Sequence, residues 1–577
     1  MAFNEDTEKI IKVTVLKNAL EYKGKSRVDT VIAKVIGSRP DLRSNLKNLI
    51  PKITETVQKI NSLSLADQKA LLEQAAPGES QKKKIAESSQ APLPPLQGAE
   101  IGNVVTRFPP EPSGYPHIGH AKAAIIDEEY AHMYNGKFIL RFDDTNPLNE
   151  KLEYYEAISE GLEWLGIRPD IVKNSSDDIQ LLHEYGKKLI LSGGAYVCTC
   201  NQKTIHDLRA RGLPCECRND LNVALDRLKK MFDGSFEHNA AVIRFKGDMS
   251  NQNTAMRDPT LFRIIDGEHP KIGNKIRLWP TYDFAAPVED SIDGVTHAMR
   301  TKEYELRNAL YFAILDRLGL RKPLLIEFSR LEFNGVPISK RKIKPLIEKG
   351  IVKSWSDPRL PTLMGIKRKG FLPDAIRKFV LSLGLTLAET KPPVETLEAF
   401  NRKIIDSHCM RLFFVKDPVE LRIQNVSSKE IILKNHPNND LGTRKVPVSD
   451  SFYISAEDAA KLNINDEIRL MDLYNIKIIK FEPNQTRKAL IAAAIPENIR
   501  QGIPKIQWVA KSDAIPYKVM ITRELYLGEK YNPNSLEICE GYAESFVSML
   551  NIDTRIQFVR FGFCRIDDSN NAIFTHR

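Results

Sequence analysis

Phe108-Pro-Pro-Glu111-Pro-Ser113-Gly-Tyr-Pro-His117-Ile118-Gly119-His120 decides how this chain folds, because it sets two imidazoles around a glycine where a strand gives way to a helix. Val104 to Phe108 reads as a short buried strand, Pro109 to Pro116 as a rigid loop, and Ala121 to Tyr134 as a helix opening immediately after the second histidine. Anionic oxygens at such a junction meet free backbone N–H groups and the positive end of a helix dipole. Gly119 has no side chain to hold a nucleotide off the backbone, and His117 and His120 can donate hydrogen bonds to charge developing at an α-phosphate under attack. The chemistry implied is nucleotidyl transfer. With 11 His and 30 Gly in 577 residues, a chance His-x-Gly-His arises in roughly one chain in a hundred. Alone, the four residues also suit ordinary helix-start histidines, so partners elsewhere in the chain must decide.

A chain of 577 residues exceeds what one hydrophobic core supports, and roughly three to five domains are expected. Hydrophobic content of 42% and charged content of 27% are those of a soluble globular protein. The opening Met-Ala-Phe-Asn-Glu-Asp-Thr-Glu lacks the basic and apolar regions of a signal peptide, and no run of about 18 apolar residues occurs, so a cytoplasmic protein without membrane association is expected. The net charge of +10 permits a polyanionic partner without requiring one. Seven cysteines are an odd number, and four of them stand in two tight pairs, which in a reducing compartment argues for metal rather than disulfides.

Residues 1–76 read as a small helical module, with Ile10, Val13, Leu16 and Leu20 at helical spacing. Residues 77–98 turn to Gly, Ser, Gln, Lys and Pro, including Gln81-Lys-Lys-Lys and Pro92-Leu-Pro-Pro, a linker composition whose lysines read as solvated. From 99 to about 330 strand-like and helix-like segments alternate, the pattern of a parallel α/β sheet. Its first half covers 99–195, a cysteine-bearing insertion 196–275, and its second half 276–344. Residues 345–407 are helical again, as in Asp374-Ala-Ile-Arg-Lys-Phe-Val-Leu. Residues 408–577 carry short alternating strands such as Val419-Glu-Leu-Arg-Ile-Gln, Tyr474-Asn-Ile-Lys-Ile-Ile-Lys and Arg555-Ile-Gln-Phe-Val-Arg-Phe, which suggests β-barrels.

More than about 200 residues past the histidines stands Val336-Pro-Ile-Ser339-Lys340-Arg341-Lys342. By itself this is a solvated or RNA-facing basic turn. Beside the histidines it gains a meaning: joining a carboxylate to the α-phosphate of ATP builds charge on the leaving pyrophosphate, which a lysine can compensate in the transition state. These motifs together resemble the class I aminoacyl-tRNA synthetases of the glutamyl/glutaminyl subfamily, in the form found in archaea and the eukaryotic cytoplasm. Pro110 to His120 is similar to that family's HIGH region, and Pro337-Ile338-Ser339-Lys340-Arg341 falls where its KMSKS loop stands, with Pro337 replacing the first lysine and Arg341 the last serine. The resemblance continues through Leu140-Arg-Phe-Asp143-Asp144-Thr-Asn-Pro147, Trp279-Pro-Thr-Tyr282-Asp-Phe-Ala, Thr296-His-Ala-Met-Arg300-Thr301 and Ser329-Arg330-Leu331, and spans about residues 100–577.

The resemblance implies a multidomain α/β fold. It would comprise a Rossmann-type parallel-sheet catalytic domain, an inserted acceptor-end-binding domain, a helical connector and C-terminal anticodon-binding β-barrels. It implies that His117, His120 and Lys340 stabilise developing charge, and that Glu111, Ser113, Gly119, Thr301, Arg330, Leu331 and Ser339 hold ATP with its Mg2+. By the same resemblance Asp143 and Tyr282 hold the ammonium group and body of the amino acid, and bound tRNA is needed for the first step. Arg300 stands where glutamate-charging members resemble one another in carrying arginine and glutaminyl members carry a neutral residue, and Arg107 is the second candidate contact. A guanidinium grips a carboxylate with two hydrogen bonds, whereas a carboxamide leaves it buried and unpaired. The expectation is therefore L-glutamate; glutaminyl charging and a tRNA-binding scaffold that has lost chemistry are the alternatives.

Cys198-Thr-Cys200 and Cys215-Glu-Cys217 are separated by 14 residues and offer four thiolates for a tetrahedral, structural zinc site, with His206 as a possible substitute ligand. Cys409, Cys539 and Cys564 have no paired spacing and read as core residues. The helical module at 1–76 suits docking of a protein partner or tRNA and equally suits a stabilising appendage.

Overall fold

In a computed structural model of the protein, the described residues are 5–21, 24–28, 30–32, 35, 46–75, 93–219, 221–333, 335–336, 340–389, 391–483, 488–495 and 503–577. The chain divides into two compact units, Met1–Pro92 and Leu93–Arg577. In the first, helices Glu5–Glu21, Leu46–Asn61 and Leu65–Ala75 enclose Ile11, Val15, Leu16 and Ala19 together with Leu49, Ile53 and Val57. The buried stripe lies beside the expected one: Ile10, Val13 and Leu20 are only half-buried, because the helix turns the face of Ile11, Val15 and Ala19 inward at i, i+4 spacing.

Most of the expected linker, including Gln81-Lys-Lys-Lys, lies outside the described residues. Its last part is no linker. Leu93 and Leu96 are buried in the core of the second unit, the Leu96 N–H donates to the Tyr134 hydroxyl at 2.9 Å, and the Tyr130 hydroxyl donates to the Pro94 carbonyl at 2.9 Å. Two leucines spaced between prolines bury enough apolar surface to hold this stretch down, which composition alone conceals.

The second unit opens with parallel strands β1 (Val105–Phe108), β2 (Lys137–Phe142) and β3 (Ile171–Asn174), hydrogen-bonded in that order. Helix α1 (Ile118–Met133) joins β1 to β2, and α2 (Leu152–Trp164) joins β2 to β3. Ala121 and Ala124 let α1 lie close on the sheet beside Ile125, all three fully buried. An antiparallel insertion follows, with β4 (Ala195–Cys198), β5 (Val242–Phe245), β6 (Thr260–Ile264) and β7 (Leu278–Pro280) in sequential order. Helix α3 (Tyr282–Ile292) then leads to the parallel pair β8 (His297–Thr301) and β9 (Leu324–Phe328), connected by α4 (Asn308–Leu318). Thr296 splices the two ladders, accepting from the Val105 N–H through Oγ1 at 2.8 Å and donating its own N–H to the Val105 carbonyl at 2.9 Å. β8 therefore lies beside β1, joined at their starts through Thr296, and the crevice at the carboxyl ends of these parallel strands is where an open α/β sheet binds ligands.

Helices Lys340–Glu348, Leu363–Lys369, Pro373–Leu383 and Val394–Ile405 follow. Ala375, Ile376 and Phe379 share one core with Ile118, Ala121 and Ala124, so this helical connector braces the parallel sheet rather than forming a core of its own. Beyond it come two seven-stranded, barrel-like sheets. In Pro418–Gln424 alternate residues Val419, Leu421 and Ile423 point inward, the period-2 pattern that makes such strands readable. Among the described residues no helix is long and apolar enough to cross a membrane.

Candidate active site

Helix α1 begins at Ile118, three residues earlier than expected, because an imidazole does the work of a Ser or Asp cap. His117 is the N-cap: its Nδ1 accepts the Gly119 N–H at 3.1 Å, while His120 Nδ1 accepts the His117 N–H at 3.2 Å. With both Nδ1 atoms acting as acceptors, the neutral rings carry their protons on Nε2. Burial, reinforced by the nearby Arg330, pushes His120 down to about 4 and His117 well below its ordinary range. Near pH 7 the pair is thus two uncharged donors with ring centroids 4.0 Å apart. The loop ahead of them is fixed by the Ile118 N–H on the Pro361 carbonyl at 3.0 Å and the Leu363 N–H on the Pro116 carbonyl at 2.9 Å.

A cavity of about 970 Å³ opens at the carboxyl ends of β1, β2, β8 and β9. Of the residues expected around ATP it gathers Glu111, His117, Gly119, His120, Thr301, Arg330 and Leu331, and of those expected around the amino acid Arg107, Asp143, Tyr282 and Arg300. Ser113 lies on the same loop but off the cavity wall. Pro337, Ile338 and Ser339 lie outside the described residues, and Lys340 begins the helix Lys340–Glu348. Arg330 is steered by Glu303 at 2.9 Å and Glu332 at 3.1 Å.

The two arginines differ in charge balance. Arg107 is completely buried with its fork on Asp290 at 2.8 and 3.1 Å, and its Nη1 donates to the Met299 carbonyl at 2.8 Å, so three of its five N–H groups are engaged. Arg300 is 4% exposed and makes one side-chain hydrogen bond, from Nη1 to Asn308 Oδ1 at 3.2 Å; its Nε has no partner. Among the described residues no carboxylate lies within ion-pair distance of it. Its guanidinium rests instead against the rings of Tyr282, Tyr304 and Tyr311 at 5.6, 5.1 and 5.3 Å, a cage that attracts a cation without neutralising it. A buried cation of this kind, facing a cavity, calls for an anionic ligand.

Asp143 does not pair with Arg141, which bonds Asp290 and Asp293, each at 2.7 Å. Burial pushes the Asp143 carboxyl up to about 7; Arg141 opposes this, and Glu111 and Asp144 add to it. An ammonium ion arriving beside it would restore the carboxylate.

In the insertion, the sulfurs of Cys198, Cys200, Cys215 and Cys217 all lie within 4.8 Å of one another. Cys198 and Cys215 are 3.8 Å apart and Cys200 and Cys217 3.6 Å. A tetrahedron with metal–sulfur bonds of about 2.3 Å has edges of about 3.8 Å, so the four donors suit zinc. His206 is exposed beside Asp207 and stands apart from the cluster. Cys409, Cys539 and Cys564 are free and buried.

Sequence reasoning missed Asp290, Tyr304 and Tyr311, whose approach to the arginines depends on the packing of α3, α4 and the turn Lys302–Arg307 between β8 and α4. It also missed Lys122, whose buried Nζ donates to the Ser329 carbonyl at 2.5 Å and hydroxyl at 3.1 Å, and which burial pushes down to about 8. The insertion adds Arg209 and Arg263 to the cavity wall. An aromatic surplus after Arg300 was the only available signal.

A family model described as the catalytic domain of class I (E and Q) tRNA synthetases matches residues 103–407. Two models described as anticodon-binding domains of the same synthetases match 409–494 and 505–567. The chain is 48% identical over 574 residues to a protein of Nitrosopumilus maritimus named glutamate–tRNA ligase, covering 100% of each chain. It is 47% identical to the protein of that name from Cenarchaeum symbiosum, covering 97% of this chain and 98% of that one. It is 37% identical to the one from Thermococcus kodakarensis, covering 99% and 100%.

Proposed function

The chain belongs to the class I tRNA synthetases of the E and Q group, and from that premise we propose that it joins L-glutamate to the 3′ end of tRNA, consuming ATP through a glutamyl-adenylate intermediate. An oxygen of the glutamate α-carboxylate attacks the α-phosphorus, the bond to the β-phosphate breaks, and its electron pair leaves with pyrophosphate. His117 and His120, held neutral with Nε2–H groups free, donate to the oxygens that gain charge. Lys340 compensates the leaving group, and Glu111, Ser113, Gly119, Thr301, Arg330, Leu331 and Ser339 bind the nucleotide. Magnesium enters as the ion carried on the triphosphate, neutralising its oxygens. Asp143 receives the ammonium group and Tyr282 the body of the amino acid. A hydroxyl of the terminal adenosine of tRNA then attacks the acyl carbon and AMP departs, with no covalent enzyme intermediate.

One observation carries the choice of amino acid: Arg300 is buried against the cavity with no carboxylate of the protein beside it among the described residues. The side chain of glutamate completes this cation, whereas glutamine leaves it unmatched at a cost of about 1–3 kcal/mol or more. The full-length likeness to proteins named glutamate–tRNA ligase supports the same choice. Exchange of labelled pyrophosphate into ATP, run with glutamate and with glutamine in the presence of tRNA, tests it: glutamate should drive exchange, and a glutamine preference would overturn the assignment.

The remaining assignments follow the same reading. The insertion between β4 and β7 receives the acceptor end, with a structural zinc held by Cys198, Cys200, Cys215 and Cys217 tying its knuckle together. The two C-terminal sheets read the anticodon, where splayed single-stranded bases expose their edges. The module at 1–76 serves as a docking element for a protein partner or tRNA or, equally, as a stabilising appendage, and the enzyme works in the cytoplasm.

A further inference from the structure

We propose that Asp290 is a positioning residue for glutamate specificity, a buried carboxylate that aims Arg107 directly and, through Tyr311, supports Arg300. The inference rests on the cavity being the glutamate site. Asp290 is completely buried on α3 and never touches the cavity's contents, since its two oxygens accept four hydrogen bonds from the protein. Oδ1 accepts from Arg107 Nε at 2.8 Å and Arg141 Nη2 at 2.7 Å. Oδ2 accepts from Arg107 Nη2 at 3.1 Å and the Tyr311 hydroxyl at 2.9 Å.

The bonds from Arg107 and Tyr311 bear on the two arginines that line the cavity. The fork on Arg107 fixes the plane of a guanidinium that would otherwise rotate about its own stem, and leaves N–H groups of that plane uncommitted at the cavity wall. The bond to Tyr311 fixes the ring lying 5.3 Å from the Arg300 guanidinium. One anion therefore sets the relation between a charge-balanced arginine and an unbalanced one. The two arginines that hold Asp290 also keep its carboxyl ionised, pushed down to about 2 against the effect of burial. Arg141, the other cation on Oδ1, is tied away from the cavity by Asp293 at 2.7 Å.

Replacing the carboxylate by an amide cannot preserve this pattern. In either orientation of Asp290→Asn the amide NH2 group faces at least one N–H of Arg107, so a donor loses its acceptor and two guanidiniums lose their shared counter-charge. Tyr311→Phe is the gentler probe, because it removes one hydrogen bond and keeps the ring under Arg300.

The test is tRNA-dependent pyrophosphate exchange on the full-length protein, with separate KM values for glutamate and ATP and a thermal midpoint for each variant. In Asp290→Asn the glutamate KM should rise at least about tenfold while the ATP KM stays within about twofold; in Tyr311→Phe the glutamate KM should rise about threefold or more on the same terms. Wild-type glutamate KM in a folded Asp290→Asn, or equal loss of both substrates, would overturn the role of Asp290. Should that variant fail to fold, an unchanged glutamate KM in Tyr311→Phe overturns it instead. A wild-type enzyme that activates glutamine in place of glutamate would overturn the assignment of the site itself, a result separate from either variant.

Discussion

Gly119→Ala separates stability from catalysis at the centre of the site. A Cβ built on Gly119 lies 2.9 Å from His117 Cε1 and 3.0 Å from Nδ1, where ordinary contact begins near 3.4 Å. The imidazole must swing outward, and the 3.1 Å bond from the Gly119 N–H to Nδ1 breaks. Losing the cap costs about 1 kcal/mol of stability. Alanine inside a helix recovers about 0.5–1 kcal/mol of this, because Gly119 has no need of a left-handed backbone. The two effects nearly cancel, so the thermal midpoint should move by no more than a few degrees. On the role proposed for His117, catalysis has no such offset: its Nε2–H is displaced, and a misplaced transition-state donor costs about 2.7–4 kcal/mol, or 10²–10³ in kcat. Pyrophosphate exchange at saturating ATP and glutamate, paired with a melting curve, reads both quantities. A kcat within about twofold of wild type would show that the ring is not a donor to the reacting phosphate.

Other groups give equally direct expectations. Arg300→Ala should reduce glutamate activation by about 3–5 kcal/mol, since the substrate carboxylate is then buried without its partner, while the ATP KM stays put; unchanged glutamate kinetics would remove Arg300 from the site. Elemental analysis of the purified protein should find stoichiometric zinc that Cys215→Ser lowers, and a metal-free wild type would leave the four cysteines as packed thiols.

What the sequence disclosed depended on whether the cause of a feature was local. The alternation in Val419-Glu-Leu-Arg-Ile-Gln and the glycine between two histidines act through the nearest few residues, and both were legible. The helix start was misplaced because His117 caps through a ring that no propensity scale ranks as a cap. Pro94 and Leu96 passed for linker because their partners Tyr130 and Tyr134 lie more than thirty residues ahead. The glutamate end shows the same division. Arg300 stood out by position, but its lack of a carboxylate partner among the described residues, on which the proposed choice of glutamate rests, follows from which acids fold towards Arg107 and Arg141 instead. Asp290 carries no motif of its own, and only the convergence of β1, β2 and α4 on α3 gives it four donors.

The most direct test of the glutamate assignment is charging of purified tRNA isoacceptors with labelled amino acid by the wild-type protein. Radioactivity from glutamate, dependent on ATP and absent with glutamine at equal concentration, is the predicted result. Transfer of glutamine in preference to glutamate would contradict it, because an unmatched guanidinium in the cavity would then be binding a neutral side chain.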